Sequence, residues 1–389
     1  MTAAAENPRA PHLERVRRVV VKIGSQVLAP HGELDPDTVA SLCAQLVAAR
    51  RRGLDVVLVT SGAVAAGRGK LGWKDRPRTI PAKQAAAAAG QPALLRAYAS
   101  HLDPAGQAIA QILLTAEDVA DRRRFTNARN TVSTLLSLGV LPIVNENDTV
   151  AVDEIKLGDN DQLSALVTNL IEAQLLVLLT DVDGFYSADP RRDPAAVRHV
   201  FLPELTPAHL ASAGPTTSEV GLGGMVTKLE AARQAALSGA STVIAHGTEA
   251  RVLERILDGE AVGTWIAAGR AIGARKHWIA YSSAPAGAVV VDDGARRALA
   301  ERGKSLLPSG IVEVRGDFGR GESVRVLALD GSEVGRGLVS YSAADLRRIA
   351  GRRSSEIEAI LGYKYYDEAV RRDDFVLDRS GVLLRSAQG

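Results

Sequence analysis

Short runs of β-branched and leucine residues recur along the N-terminal two-thirds of the chain. Each ends in polar or glycine residues, and a longer amphipathic or alanine-rich stretch follows. The runs are Val19–Ile23, Val56–Thr60, Ala108–Leu114, Val140–Val144, Leu175–Thr180 and Thr242–Ala245. Several are continuously apolar, as strands covered on both faces should be, and their alternation with helical segments predicts a largely parallel α/β sheet. The residues after each run carry more chemistry: Gly24-Ser25, Ser61-Gly62-Ala63, Asn145-Glu146-Asn147-Asp148, Asp181-Val182-Asp183-Gly184 and His246-Gly247. Ligands of open α/β sheets sit beyond the carboxyl ends of the strands, so these tips should converge on one site.

The pattern changes after Gly273. The stretch ARKHWIAYSSAPAG reads as a strand entering a linker, and compact β-like runs follow at Ala288–Val291, Gly310–Val314, Ser323–Leu329 and Gly335–Tyr341, separated by Asp/Gly-rich turns. Helical segments are expected at Asp293–Arg302, Ala343–Ile349 and Ser355–Leu361. The organisation expected is therefore a first domain over 14–273, a linker over 274–285 and a small β-rich domain over 286–369.

Composition narrows the class. With 389 residues and 46% hydrophobic positions, the chain can bury a large core and is neither disordered nor collagen-like. No uncharged apolar run approaches the roughly 18 residues of a membrane span. No apolar secretory segment opens the chain, and the lone Cys43 suits a reducing cytoplasm. A net charge of +2 gives no general case for nucleic acid or membrane partners.

Two generic nucleotide signatures fail on context. The segment Gly67-Arg68-Gly69-Lys70-Leu71-Gly72 matches G-x-G-x-x-G but follows a small-residue helical stretch rather than a strand. Gly303-Lys304-Ser305 ends like a P-loop, yet Ala298 stands in place of the first glycine. A better phosphate signal is Gly221-Leu222-Gly223-Gly224-Met225-Val226-Thr227-Lys228, which leads into a helix: glycines let backbone N–H groups approach phosphate oxygens, and a helix N-terminus favours anions. The alternative is a plain glycine loop with a solvated lysine. Lys22 supports the phosphate reading, because a charge inside the apolar run Val19–Ile23 is costly to bury without a partner, and Gly24 beside it leaves room for a ligand. Lysine is scarce here, nine against thirty-eight arginines, so its placement carries information. The tips Asn145–Asp148 and Gly158-Asp159-Asn160-Asp161-Gln162 could hold an ammonium group or a metal-bound phosphate, although turns and N-caps use the same residue types. The seven histidines show no paired metal-ligand spacing.

Together and in this order, VVVKIGSQVL, VTSGAVAAG, KQAAAAAGQP, FTNARNT, VNENDTVAVDEIKLGDNDQLSALV, LLTDVDGFYSADPR and GLGGMVTK resemble the amino acid kinase family, with a tail that resembles a PUA domain. The resemblance spans nearly the whole chain. Its lysine and glycine motifs would also suit aspartate, acetylglutamate, carbamate or uridylate kinases; the paired acidic tips and the appended domain point to the branch that acts on glutamate. It implies a three-layer αβα sandwich, with Lys22 and Lys228 on the transferring phosphoryl group and Asp161 orienting them. It further implies that Ser61, Asp148 and Asn160 bind glutamate, and that Lys22, Thr180, Asp181, Leu222, Gly223, Gly224, Met225, Val226, Thr227 and Lys228 bind ATP. Mg²⁺ would accompany ATP. The implied partners are L-glutamate, ATP, proline as feedback inhibitor at a site near Arg122–Asp161, a glutamyl phosphate reductase and further copies of the chain. Because PUA domains are commonly RNA-binding, RNA is the competing partner class. The tail's arginines are mixed with many acids, however, and no basic stripe interleaved with aromatics is visible.

Overall fold

The computed structural model describes residues 7–151, 160–213, 224–268, 279 and 285–378. The chain divides into two compact units, residues 1–271 and 272–389. In the first, the described strands form one eight-stranded sheet in the order β3-β4-β2-β1-β5-β7-β8-β6. These are β1 (Arg18–Ile23), β2 (Asp55–Thr60), β3 (Ile109–Leu114), β4 (Leu141–Glu146), β5 (Leu175–Thr180), β6 (Phe201–Leu202), β7 (Ser241–His246) and β8 (Thr264–Ile266). Pairing is parallel except between β7 and β8.

The six apolar runs read from the sequence are β1 to β5 and β7. Strands β6 and β8, of two and three residues, are too short to leave a pattern and were not anticipated. Side chains alternate along each strand, so one sequence serves two cores. Val19, Val21 and Ile23 pack with the helices Pro36–Arg51, Ile80–Leu102 and Val252–Leu257. Val20, Val57, Val59, Leu176 and Leu178 pack with Asn160–Leu170 and Met225–Leu237 on the opposite face. The result is the expected three-layer αβα sandwich.

The rejected G-x-G-x-x-G segment has a packing role. Gly67, in the helix Ala63–Lys70, lies so close to the helix Ile80–Leu102 that a Cβ on it would fall 1.7 Å from the Ala86 carbonyl oxygen, and one on Gly90 would fall 1.8 Å from that of Ala63. Glycine is required there for two helix backbones to touch.

The second unit contains a five-stranded sheet ordered β10-β9-β11-β12-β13. Its strands are β9 (Gly287–Val291), β10 (Ile311–Gly316), β11 (Ser323–Leu327), β12 (Glu333–Val339) and β13 (Val370–Leu377). The helices Asp293–Ala300 and Ala343–Ile349 start at N-caps supplied by Asp292 and Ser342, and Leu299, Leu346 and Ile349 close the core over Val289, Val291, Val324 and Val326. β13, which pairs antiparallel with β12, was not anticipated and carries the sheet past residue 369. The strand and linker expected over 274–285 lie almost entirely outside the described residues.

Candidate active site

Parallel register sets the site. Ile23 of β1 stands beside Thr60 of β2 and Leu179 of β5, and Thr180 stands beside His246, so the tips that follow these strands share one edge of the sheet. Asp161 occupies the first turn of the helix Asn160–Leu170, which packs on the sheet and against the neighbouring helix Met225–Leu237. The buried hydroxyls of that helix are satisfied internally: Ser164 donates to the Asp161 carbonyl at 2.6 Å and Thr168 to that of Ser164 at 2.7 Å.

Both lysines converge on one carboxylate. Lys22 Nζ lies 2.6 Å from Asp161 Oδ1, Lys228 Nζ lies 3.1 Å from Asp161 Oδ2, and Thr227 Oγ1 donates to the same Oδ2 at 3.0 Å. Asp161 is 0% exposed, Lys22 2% and Lys228 6%. Buried charges of this kind seldom add net stability, since well-packed apolar residues would serve as well or better. What the arrangement achieves is position: a strand and a helix far apart in sequence each place an ammonium group at a fixed point at the sheet's carboxyl edge. Gly24 fits the same purpose. Its φ of −76° is ordinary, and a Cβ would meet only normal contacts, Leu179 O at 3.6 Å and Lys22 Nζ at 3.8 Å. The fold itself therefore does not demand glycine at this position.

A second cluster adjoins the first. Asn160 Nδ2 donates to Thr60 O at 2.6 Å, to Ser61 Oγ at 3.0 Å and to Asn145 Oδ1 at 3.0 Å, which joins the tips of β2 and β4 to the start of the Asn160 helix. Asn145 was visible only as part of a polar tip; its role as partner of Asn160 was not read from the sequence. Asp148, just beyond β4, is half-buried, and burial pushes its carboxyl up to about 6. At the tip of β5, Thr180 Oγ1 donates to Asp181 Oδ1 at 2.9 Å. Gly224 caps the helix Met225–Leu237, and its carbonyl lies 2.8 Å from Thr227 Oγ1, competing with Asp161 for that hydroxyl's one hydrogen. Leu222 and Gly223 lie outside the described residues, as do Gly158 and Asp159.

Among the described residues, no group of three His, Cys, Asp or Glu side chains is gathered to hold a metal. Both Asp161 oxygens face ammonium groups. The described donor set therefore does not form a resident cage.

The second unit holds a feature that the sequence concealed. Exposed Tyr363, Tyr365 and Tyr366 stand together, with the Arg320 guanidinium 3.9 Å from the centre of the Tyr365 ring and that of Arg371 4.6 Å from Tyr366. The aromatic and basic groups come from separate segments, so no linear stripe announces them.

The model of the amino acid kinase family matches residues 17–246, more than half of the chain. The chain belongs to the amino acid kinase family. Within the family, it is 52% identical to the glutamate 5-kinase of Pelobacter propionicus, over 93% of this chain and 98% of that protein. It is 53% identical to those of a Geobacter species (94% and 98% covered) and of Geobacter sulfurreducens (95% and 100% covered). The PUA domain model matches residues 287–361, so this amino acid kinase carries a C-terminal PUA domain. No helix among the described residues is long and apolar enough to cross a membrane.

Proposed function

We propose that this kinase transfers the γ-phosphoryl group of ATP to the γ-carboxylate of L-glutamate, forming L-glutamyl 5-phosphate. The observation that carries the reading is the pinning of Lys22 and Lys228 on Asp161 beside the Asn160–Ser61 cluster. Glutamate kinases similar over almost their full length supply the substrate. The acceptor carboxylate, with an ordinary pKa of about 4.3, is already ionised at neutral pH, so the reaction needs no general base. Its difficulty is an anion approaching an anionic phosphate. Catalysis then consists of positioning and charge stabilisation, for which two fixed ammonium groups and the start of the helix Met225–Leu237 are suited. Asp161 orients the lysines rather than accepting a proton. Magnesium, entering with ATP, would neutralise phosphate charge. Ser61, Asn160 and Asp148 would take glutamate, the last through its α-ammonium group, while Thr180, Asp181 and residues 222–228 would take ATP.

Three further assignments belong to this reading. Proline shares glutamate's α-carboxylate and ammonium arrangement and would inhibit by competing near the glutamate site. The product is a reactive acyl phosphate, which a glutamyl phosphate reductase would consume to continue proline biosynthesis. The enzyme would work in the cytoplasm as a homo-oligomer, with the lone buried Cys43 in keeping with a reducing compartment. The test is Lys228→Ala: kcat should fall at least a hundredfold, on the order of the loss of one transition-state charge partner, with little change in the glutamate KM. Near-normal turnover would remove Lys228 from the chemistry.

A second activity rests on the tyrosine–arginine patch. Exposed rings flanked by guanidinium groups suit stacking of unpaired bases, so weak single-stranded RNA binding by the PUA domain is the alternative partner reading. Filter binding at two salt concentrations checks it. Retention that falls steeply with salt supports RNA, and no retention at low salt excludes it.

A further inference from the structure

Tyr98 has no part in the mechanism above, yet its hydroxyl is buried directly beneath the glutamate cluster. It lies near the end of the helix Ile80–Leu102, is 0% exposed, and its oxygen is 2.6 Å from Thr60 Oγ1. Thr60 Oγ1 in turn donates to the Ser61 carbonyl at 3.0 Å. The threonine hydroxyl has one hydrogen; with that hydrogen on the Ser61 carbonyl, the hydrogen between the two hydroxyls comes from Tyr98. In that arrangement Tyr98 donates to Thr60, and Thr60 donates to Ser61. In a buried setting such a chain is reinforced by mutual polarisation, and each member left without its partner is costly.

The far end of the relay is the residue pair that the proposed function assigns to substrate. Thr60 O and Ser61 Oγ are two of the three oxygens that hold Asn160 Nδ2. A cavity of about 10 Å³, lined by Thr60, Tyr98 and Asn145 among others, adjoins the Thr60 end of this chain of bonds. We infer that Tyr98 is a positioning residue for glutamate: its hydroxyl fixes the Thr60–Ser61 tip so that Ser61 and Asn160 meet the substrate in one geometry. A phenylalanine would fill nearly the same volume and remove only the hydrogen bond to Thr60. The inference rests on the assignment of Ser61 and Asn160 to glutamate.

The test is a KM split. Tyr98→Phe should raise the glutamate KM about fivefold, the equivalent of one neutral buried hydrogen bond, with the ATP KM and kcat within about twofold. Thr60→Val should do the same, Thr60→Ser should restore the wild-type value, and Tyr98→Phe combined with Thr60→Val should be no worse than either alone, because all three lesions cut one chain. A merely structural role for Tyr98 would lower the melting temperature and move both KM values together, and that result overturns the proposal. So does an unchanged glutamate KM in Tyr98→Phe while Asn160→Ala raises it. If Asn160→Ala itself leaves the glutamate KM unchanged, the underlying assignment fails, and the relay with it. Should Tyr98→Phe not fold, Thr60→Val and Thr60→Ser test the same link.

Discussion

Replacing Asp161 by asparagine keeps the shape of the side chain and an acceptor oxygen but removes its charge. In the native protein that charge lies 2.6 Å from Lys22 Nζ and 3.1 Å from Lys228 Nζ, with all three groups almost wholly removed from water. The variant leaves two buried ammonium groups without their shared carboxylate. Breaking one side of a buried pair costs about 3–5 kcal/mol. For a unit of this size, each kcal/mol shifts the melting temperature by about 2–4 °C, so a drop on the order of 10 °C is expected. Turnover should fall by a larger factor than stability alone explains, because the lysines repel and lose their common position: about 100-fold or more in kcat, measured well below the new melting temperature. Because Asp161 is an orienting group and not a base, the acid side of the pH–rate profile should keep its shape. Melting by circular dichroism and kcat from pH 6 to 9 are the assays. A variant that melts like the wild type and turns over within a fewfold of it would refute the argument that Asp161 holds the two lysines. A lost acid limb in the pH–rate profile would instead make Asp161 a proton acceptor.

The other expectations concern the sheet edge and its packing. Burial holds the Asp148 carboxyl near 6, above its usual 3.8, so its neutral form is favoured at pH 5 and its ionised form at pH 7; if it meets the glutamate ammonium group, the glutamate KM should be about tenfold higher at pH 5 than at pH 7, and Asp148→Asn should give a high KM that no longer varies with pH. The same raised value means that ionising Asp148 opposes folding of the free enzyme as pH rises from about 4 to 6, so bound glutamate should stabilise the protein more at pH 7 than at pH 5 in thermal-shift measurements. Gly24→Ala adds a Cβ that the fold accommodates at 3.6 Å or more; it should melt within about 2 °C of the wild type yet bind ATP more weakly, and unaltered ATP binding would show that no ligand approaches Gly24. Gly67→Ala drives a Cβ to 1.7 Å from the Ala86 carbonyl oxygen and should cost about 3 kcal/mol, read as a lower urea midpoint.

The legibility of the chain follows from how local each signal is. Lys22 stood out because a lone charge interrupts a run of valines in β1, and the doubly covered strand β5 could be read from its run Leu175–Leu179 of unbroken hydrophobicity. The largely parallel α/β sheet followed from the alternation of those strands with helices, and the three-layer arrangement from the resemblance to a family. What could not be read was pairing between distant segments. Asp161 and Lys228 are 67 residues apart, and nothing in either neighbourhood names the other; the resemblance to a family, not the spacing, joined them. The Asn160–Thr60 and Tyr98–Thr60 hydrogen bonds are hidden for the same reason, and Tyr98 reads simply as one more apolar position in an alanine-rich helix. Arg320 and Tyr365 illustrate the converse failure: along the tail the arginines are mixed with acids and no basic stripe interleaved with aromatics is visible, while folding gathers rings and guanidinium groups into one patch. The glycines of the 67–72 segment show how a motif can match in letters while its geometry serves helix packing.

The central claim is a reaction, and one measurement addresses it directly. Purified protein would be incubated with ATP, Mg²⁺ and, separately, L-glutamate, aspartate, N-acetylglutamate, carbamate or UMP, with hydroxylamine present to trap acyl phosphate. The account predicts hydroxamate formation that depends on glutamate and is suppressed by proline in competition with it. Turnover of another acceptor but not of glutamate would contradict the substrate assignment, and no turnover with any acceptor would contradict the catalytic role given to Lys22, Asp161 and Lys228.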